Sequence, residues 1–150
     1  RKVNHTPKVV PAGLAYFGSV ATSFLTSEGF FMKVKVDGKE VFDGRLMNLF
    51  VCNGGYSGAG MCWAPMAKTD DGIFEIIVGE PVPKHKIIFS GHRLYDGTII
   101  NMPGMHHHQG REVTIETQDD VYLELDGEQP GLAPAVFKIL PGAISIAAPV

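Results

Sequence analysis

Cysteine is nearly missing from this sequence. Two thiols in 150 residues, Cys52 and Cys62, cannot build a disulfide framework, so a reduced, cytoplasmic chain is the expectation. Charge is sparse as well. Asp, Glu, Lys and Arg make up 19% of the residues, and the formal net charge is −3. Such a balance gives the chain as a whole nothing with which to hold a nucleic acid backbone. No run of about 18 apolar residues occurs, which excludes a helix that crosses a bilayer. The opening residues show no signal-peptide pattern. They begin with Arg rather than Met, so a piece of a longer protein is expected. Phosphate-binding Walker loops, GxSxG elbows and zinc-ligand spacings are all absent from the sequence.

What is present suits a folded domain. Apolar residues reach 45% of the chain, too many for a disordered segment. Eighteen glycines and ten prolines predict frequent turns. Residues 11–25 (PAGLAYFGSVATSFL) carry no charge. Leu14, Phe17, Ala21, Phe24 and Leu25 share one helical face, which either packs on the domain or touches a membrane surface. From Phe30 the period changes to two. Met32, Val34 and Val36 alternate with Lys33 and Lys35, and Asp37-Gly38 predicts a hairpin. A second turn is expected at Asp43-Gly44, then a strand over 45–52 that is buried on both faces. Four glycines fall within Asn53–Gly60, a loop where the backbone must approach something closely. Further strands are expected over 73–78, 113–115, 121–128, 135–140 and 143–147, with a helix over 81–95. Short strands between Gly and Pro turns predict a mainly β fold, an antiparallel β-sandwich with one or two helices.

Four groups could carry chemistry. Tyr122, Glu124 and Asp126 point away from the apolar side of their strand, and Glu128 follows just past Gly127. A carboxylate there could take a proton from a hydroxyl, although DGE also suits a plain solvated turn. Asp70-Asp71-Gly72 offers carboxylates and free carbonyls to a hard cation, or is an ordinary type I turn. The triplet His106-His107-His108 invites a metal, but on a strand His106 and His108 face one side and His107 the other. Cys52 and Cys62 have nothing beside them in sequence that would activate a thiol.

The order of these motifs says more than any one of them. NGGYSGAGMCWAPMAKTDDGIFEIIV (53–78), YDGTIINMPG (95–104), VTIETQDDVYLELDGE (113–128) and VFKILPGAISIAAP (136–149) together resemble the C-terminal half of the bacterial diacylglycerol kinase and sphingosine kinase-like lipid kinases. Members of that family show NGxxxGGG, then APxAxxDDGxLD, a helix, the LDGE strand and a final ILPxAxxxxxP. In this chain Tyr56–Gly60 departs from the commoner YFGGG, and Phe74-Glu75 stands where the family has Leu-Asp. The family's N-terminal ATP-binding domain, with its GGDGT loop, has no counterpart in these residues.

The resemblance implies a substrate-side domain, residues 1–150, of an ATP-dependent lipid kinase that phosphorylates a lipid hydroxyl. It implies that Glu128 is the general base. It implies Mg²⁺ at the DDG turn, held by the Asp70 side chain and by backbone carbonyls near Ile73 and Glu75. The implied partners are a lipid substrate, the ATP-binding domain of the same protein and a membrane touched peripherally from the cytoplasm. Residues 12–25 are the expected contact surface. The sequence does not select the lipid or the oligomeric state. A non-catalytic lipid-binding module on the same sandwich is the rival reading, and it would need no base.

Overall fold

The computed structural model describes residues 28–58 and 60–145. The apolar face expected within residues 12–25 lies outside them, as do the last two residues of the strand expected over 143–147, whose first three, 143–145, form no strand. Eleven strands are described. They are β1 (Phe30–Val36), β2 (Lys39–Leu46), β3 (Asn48–Cys52), β4 (Tyr56–Ser57), β5 (Met61–Cys62), β6 (Phe74–Gly79), β7 (Met105–Gly110), β8 (Glu112–Glu116), β9 (Tyr122–Leu125), β10 (Glu128–Leu132) and β11 (Ala135–Lys138). Two short helices, α1 (Lys84–Phe89) and α2 (Arg93–Asp96), and a 3₁₀ turn over Thr98–Asn101 separate β6 from β7. The fold is mainly antiparallel β, as the alternation predicts.

Two sheets make the sandwich. One has four strands in the order β11-β8-β1-β2, and the other has three in the order β3-β6-β7. Between them lies one core. Met32, Val34, Val36, Leu46, Val113 and Ile115 come from the first sheet and Ile76 and Val78 from the second, all buried. The even spacing along β1 is the cause: Met32, Val34 and Val36 turn inward while Lys33 and Lys35 turn to solvent. Val34, Ile76, Val78 and Val113 are fully enclosed, and each such side chain contributes roughly 1.5–3 kcal/mol by leaving water.

Asp37-Gly38 makes the predicted hairpin. Val36 pairs with Lys39, and φ is positive at both turn residues, 49° and 79°, which is what the two-residue type I′ turn demands. Asp37 also reaches β8: its Oδ1 accepts from the backbone N–H groups of Arg111 and Glu112, each at 2.9 Å.

Three expectations are corrected. Asp43-Gly44 is not a turn, because β2 runs through it and pairs Gly44 with Met32. The register set at Asp37-Gly38 carries the ladder past it. The strand over 45–52 is two strands, and all five residues of β3 are only partly buried. The helix over 81–95 is broken at Ser90–His92 around Gly91, the residue least suited to a helix interior after proline.

Candidate functional site

Glu128 occupies the first position of β10, on the hairpin formed with β9. Leu125 pairs with Glu128 across Asp126 and Gly127, whose φ values are 50° and 89°. This is a second type I′ turn, and the sequence Asp-Gly is its usual signal. The turn therefore places Glu128 on the returning strand rather than on an extension of the strand over 121–128. Glu124, Asp126 and Glu128 are all exposed. The Glu128 carboxylate has no hydrogen-bond or ion-pair partner among the described residues. Its two oxygens are free to accept a proton or a hydrogen bond.

The DDG turn enters β6. Asp71 is spent on the turn itself, its Oδ1 accepting from the Ile73 N–H at 2.9 Å. Asp70 is exposed, and its carboxylate is unengaged among the described residues. The turn packs against the loop after β11, since a side chain on Gly72 would meet Pro141 at 3.0 Å. Mg²⁺ keeps several waters and takes one or two carboxylates. An exposed Asp70 on a turn fits that donor set. Among the described residues no three His, Cys, Asp or Glu side chains are grouped as metal ligands, so protein side chains alone would not hold the ion.

Glu75 has a different environment. It lies on the face of β6 opposite the sandwich core and is 2% exposed. Its Oε1 accepts from Gln109 Nε2 at 2.8 Å, and His107 Nε2 donates to its Oε2. A buried carboxylate without donors would be very costly, and these two bonds offset that cost. They also commit the side chain, so Glu75 could serve a cation only through its main-chain carbonyl. Cys52 lies directly across from Glu75 on β3. Burial, aided by the Glu75 charge, pushes the Cys52 thiol up to about 11, so it is inert near neutral pH.

The three histidines are divided as the strand period requires. His106 pairs with Glu80 at 2.9 Å and lies 5.9 Å from the Phe42 ring. His107 belongs to Glu75. His108 faces inward, its Nε2 buried without a partner. Burial, then the positive neighbours His106, His107 and Lys39, hold its ring below the usual imidazole value. The carboxylate partners come from β6 and its end, some 26 to 32 residues earlier in the chain. Only the β6–β7 register reveals them.

A groove also escaped sequence reasoning. It lies between β3, β7 and the helical segment after β6, and Met47, Trp63, Leu94, Ile99, Met102 and Met105 help to line it. It encloses about 560 Å³ of space, part of it open to solvent. The glycine-rich loop holds the groove residue Trp63 in place. The Gly55 carbonyl accepts from the N–H groups of Trp63 and Ala64 at 3.0 and 3.2 Å, and Trp63 stacks on Phe50 with ring centroids 4.0 Å apart. A side chain on Gly55 would come within 2.9 Å of the Ala64 carbonyl oxygen. That close approach is the physical reason for a glycine there. Arrangement and composition suit an apolar guest.

Comparison with known proteins agrees with this architecture. The family model described as the YegS C-terminal NAD kinase beta sandwich-like domain matches residues 1–148. Among solved structures, one described as a putative diacylglycerol kinase from Bacillus anthracis str. Sterne superposes with a TM-score of 0.67 at 22% identity, over 93% of this chain and 47% of its own. A second, described as a diacylglycerol kinase from the same organism, gives 0.63 at 25% identity, over 84% of this chain and 43% of its own. This chain thus spans less than half the length of those proteins. No curated protein matches it.

Proposed function

The chain belongs to the family of YegS C-terminal NAD kinase beta sandwich-like domains, and from that premise we propose that it is the substrate-side domain of an ATP-dependent lipid kinase. The partner would be an ATP-binding domain of the same protein, and the substrate a lipid that carries a free hydroxyl, diacylglycerol or a relative of it. The observation that carries the reading is the open carboxylate of Glu128, which follows directly on a type I′ hairpin turn. A lipid hydroxyl is a poor nucleophile. As its oxygen bonds to the transferred phosphorus, its proton must leave, and Glu128 is the group that would accept it. ATP supplies the phosphoryl group when bound. Asp70, with main-chain carbonyls near Ile73 and Glu75, would hold Mg²⁺ as a brace on the sandwich. The apolar groove is compatible with an acyl chain.

The test is Glu128→Gln in the full-length protein. The variant keeps size and hydrogen bonding but cannot accept the proton. We expect turnover on diacylglycerol to fall by roughly 10²–10⁴-fold, with nucleotide binding and unfolding temperature unchanged. Near wild-type turnover would remove Glu128 as the base. No turnover by the wild type on any hydroxyl-bearing lipid would favour a non-catalytic lipid-binding module.

A further inference from the structure

Residues 81–95 hold no Asp or Glu, yet carry Lys84, Lys86, Arg93, His85 and His92. This occurs in a chain whose net charge is −3. The acidic residues at the two ends of the segment are already engaged. Glu80 pairs with His106, and Asp96 accepts from Thr98 at both its N–H and its hydroxyl. Elsewhere three lysines are neutralised across strands, while Lys39 and Lys68 are exposed without an ion pair among the described residues. Lys33, Lys35 and Lys138 each meet a carboxylate on a neighbouring strand. Lys84 and Lys86 meet none among the described residues and are exposed.

The same segment displays aromatic surface. Phe89 is 78% exposed and Tyr95 is 45% exposed. On α1, His85 and Lys86 stand four and three residues before Phe89, so they share its side of the helix. A phenyl ring so exposed leaves apolar area in water, and the charge of Lys86 beside it meets no carboxylate among the described residues. Residues Ser90, Gly91 and Leu94, which continue from this face, line the apolar groove.

We propose that the exposed face of α1 and the turn after it is a docking surface for an anionic lipid bilayer. The lysines would sit among acidic headgroups while Phe89 enters the acyl boundary. The groove mouth would then face the layer from which its lipid must come. The location of the bilayer contact rests on the proposed lipid substrate, and it differs from the contact expected at residues 12–25. A bilayer fits better than an acidic protein surface because Phe89, 78% exposed, stands on one side of α1 with Lys86, a pairing of apolar ring and cation that suits the boundary between acyl chains and acidic headgroups.

The experiment is co-sedimentation of the full-length protein with two kinds of vesicle, mixed phosphatidylglycerol–phosphatidylcholine and pure phosphatidylcholine. The wild type should prefer the mixed vesicles, and added salt should weaken that preference. The double variant Lys84→Glu/Lys86→Glu should lower partitioning to mixed vesicles by about tenfold or more, at the usual strength per basic residue. Phe89→Ser should weaken binding to both kinds. Thermal unfolding checks that each variant folds, and Lys84→Gln/Lys86→Gln replaces the double variant if it does not. Unchanged binding in the charge variants would overturn the proposal and return the contact to residues 12–25. Absence of wild-type binding to either vesicle would also overturn it and would favour a protein partner. Activity on diacylglycerol in detergent micelles is measured in parallel. If micellar turnover persists in a protein that ignores vesicles, the docking surface fails and the kinase reading stands. If vesicle binding follows the charges but no lipid is phosphorylated, the reverse holds.

Discussion

Asp37 illustrates how one side chain can join two distant parts of this chain. It sits in a left-handed conformation at a turn, and its carboxylate accepts two backbone N–H groups from residues 74 and 75 positions later. Those bonds, that of Arg111 first and then that of Glu112, hold its carboxyl below the ordinary value of 3.8. A group whose folded-state value is depressed stabilises the fold above its unfolded value. That contribution is complete at neutral pH and drains away as the pH falls below about 3.8 through the lower folded value. Asp37→Asn keeps one acceptor oxygen but removes the titration. The stability gap between wild type and Asp37→Asn, measured as urea midpoints, should therefore be widest near pH 7 and shrink on the acid side of 3.8. A gap that stays constant to pH 3 would show that the charge does not contribute. The type I′ turn was legible from Asp-Gly alone. The link to β8 was not, because nothing local to residue 37 tells which strand lies beside it. Glu75 is the same case in reverse: its burial and its pairing with His107 follow from the β6–β7 register, and the sequence shows only a carboxylate in an apolar strand.

At the scale of elements, the sequence was most informative where one period persisted. The two-residue alternation of β1 and the Asp-Gly signal at residues 37–38 placed strands, faces and a turn, whereas Asp126-Gly127 fell inside a strand expected over 121–128. It was least informative where glycine competes with a second signal. Asp43-Gly44 resembles a turn, yet the ladder begun at Asp37-Gly38 continues through it, and the single helix expected over 81–95 is two helices parted at Gly91. Glu128 was picked out by residue type and motif, and the tight hairpin settled its strand. The DDG turn leads to a prediction about an element rather than a residue. Asp70 is free, the turn feeds the central strand β6 and packs on Pro141, so an ion there would brace the joint between two parts of the sandwich. Calorimetry of the wild type should show unfolding at higher temperature with Mg²⁺ than with chelator. At ten times the dissociation constant the gain is about 1.4 kcal/mol. Asp70→Ala should lose that gain while remaining folded in chelator. No effect of magnesium on the wild type would remove the ion from the account.

Across the whole molecule, two kinds of force act on opposite faces of the four-stranded sheet. Its inner face meets β6 through Ile76 and Val78, both fully buried. Its outer face carries cross-strand ion pairs: Lys33 with Glu40 and Asp43, Lys35 with Glu116, and Lys138 with Glu112. The sequence revealed this two-sidedness, since apolar and charged residues alternate along β1. It could not say which sheet would cover the inner face, because β6 carries buried apolar residues on both sides, Ile77 as well as Ile76 and Val78, and one of its partners, β7, comes from far along the chain. The energies differ greatly. Truncation of Ile76 to Ala removes buried methylene groups and leaves a cavity, a change that costs about 2–5 kcal/mol. Exposed ion pairs contribute about 0–1 kcal/mol each, and at 1 M salt a screening length of about 3 Å erases most of that. Chemical denaturation should therefore show Ile76→Ala much less stable than the wild type. A rise in salt to 1 M, by contrast, should move the wild-type unfolding temperature only slightly. The same rise should markedly reduce sedimentation with anionic vesicles, because there the lysines act on a dense array of headgroups rather than on single partners. A large salt-induced loss of stability would mean that the ion pairs, and not the shared core, hold the two sheets in register.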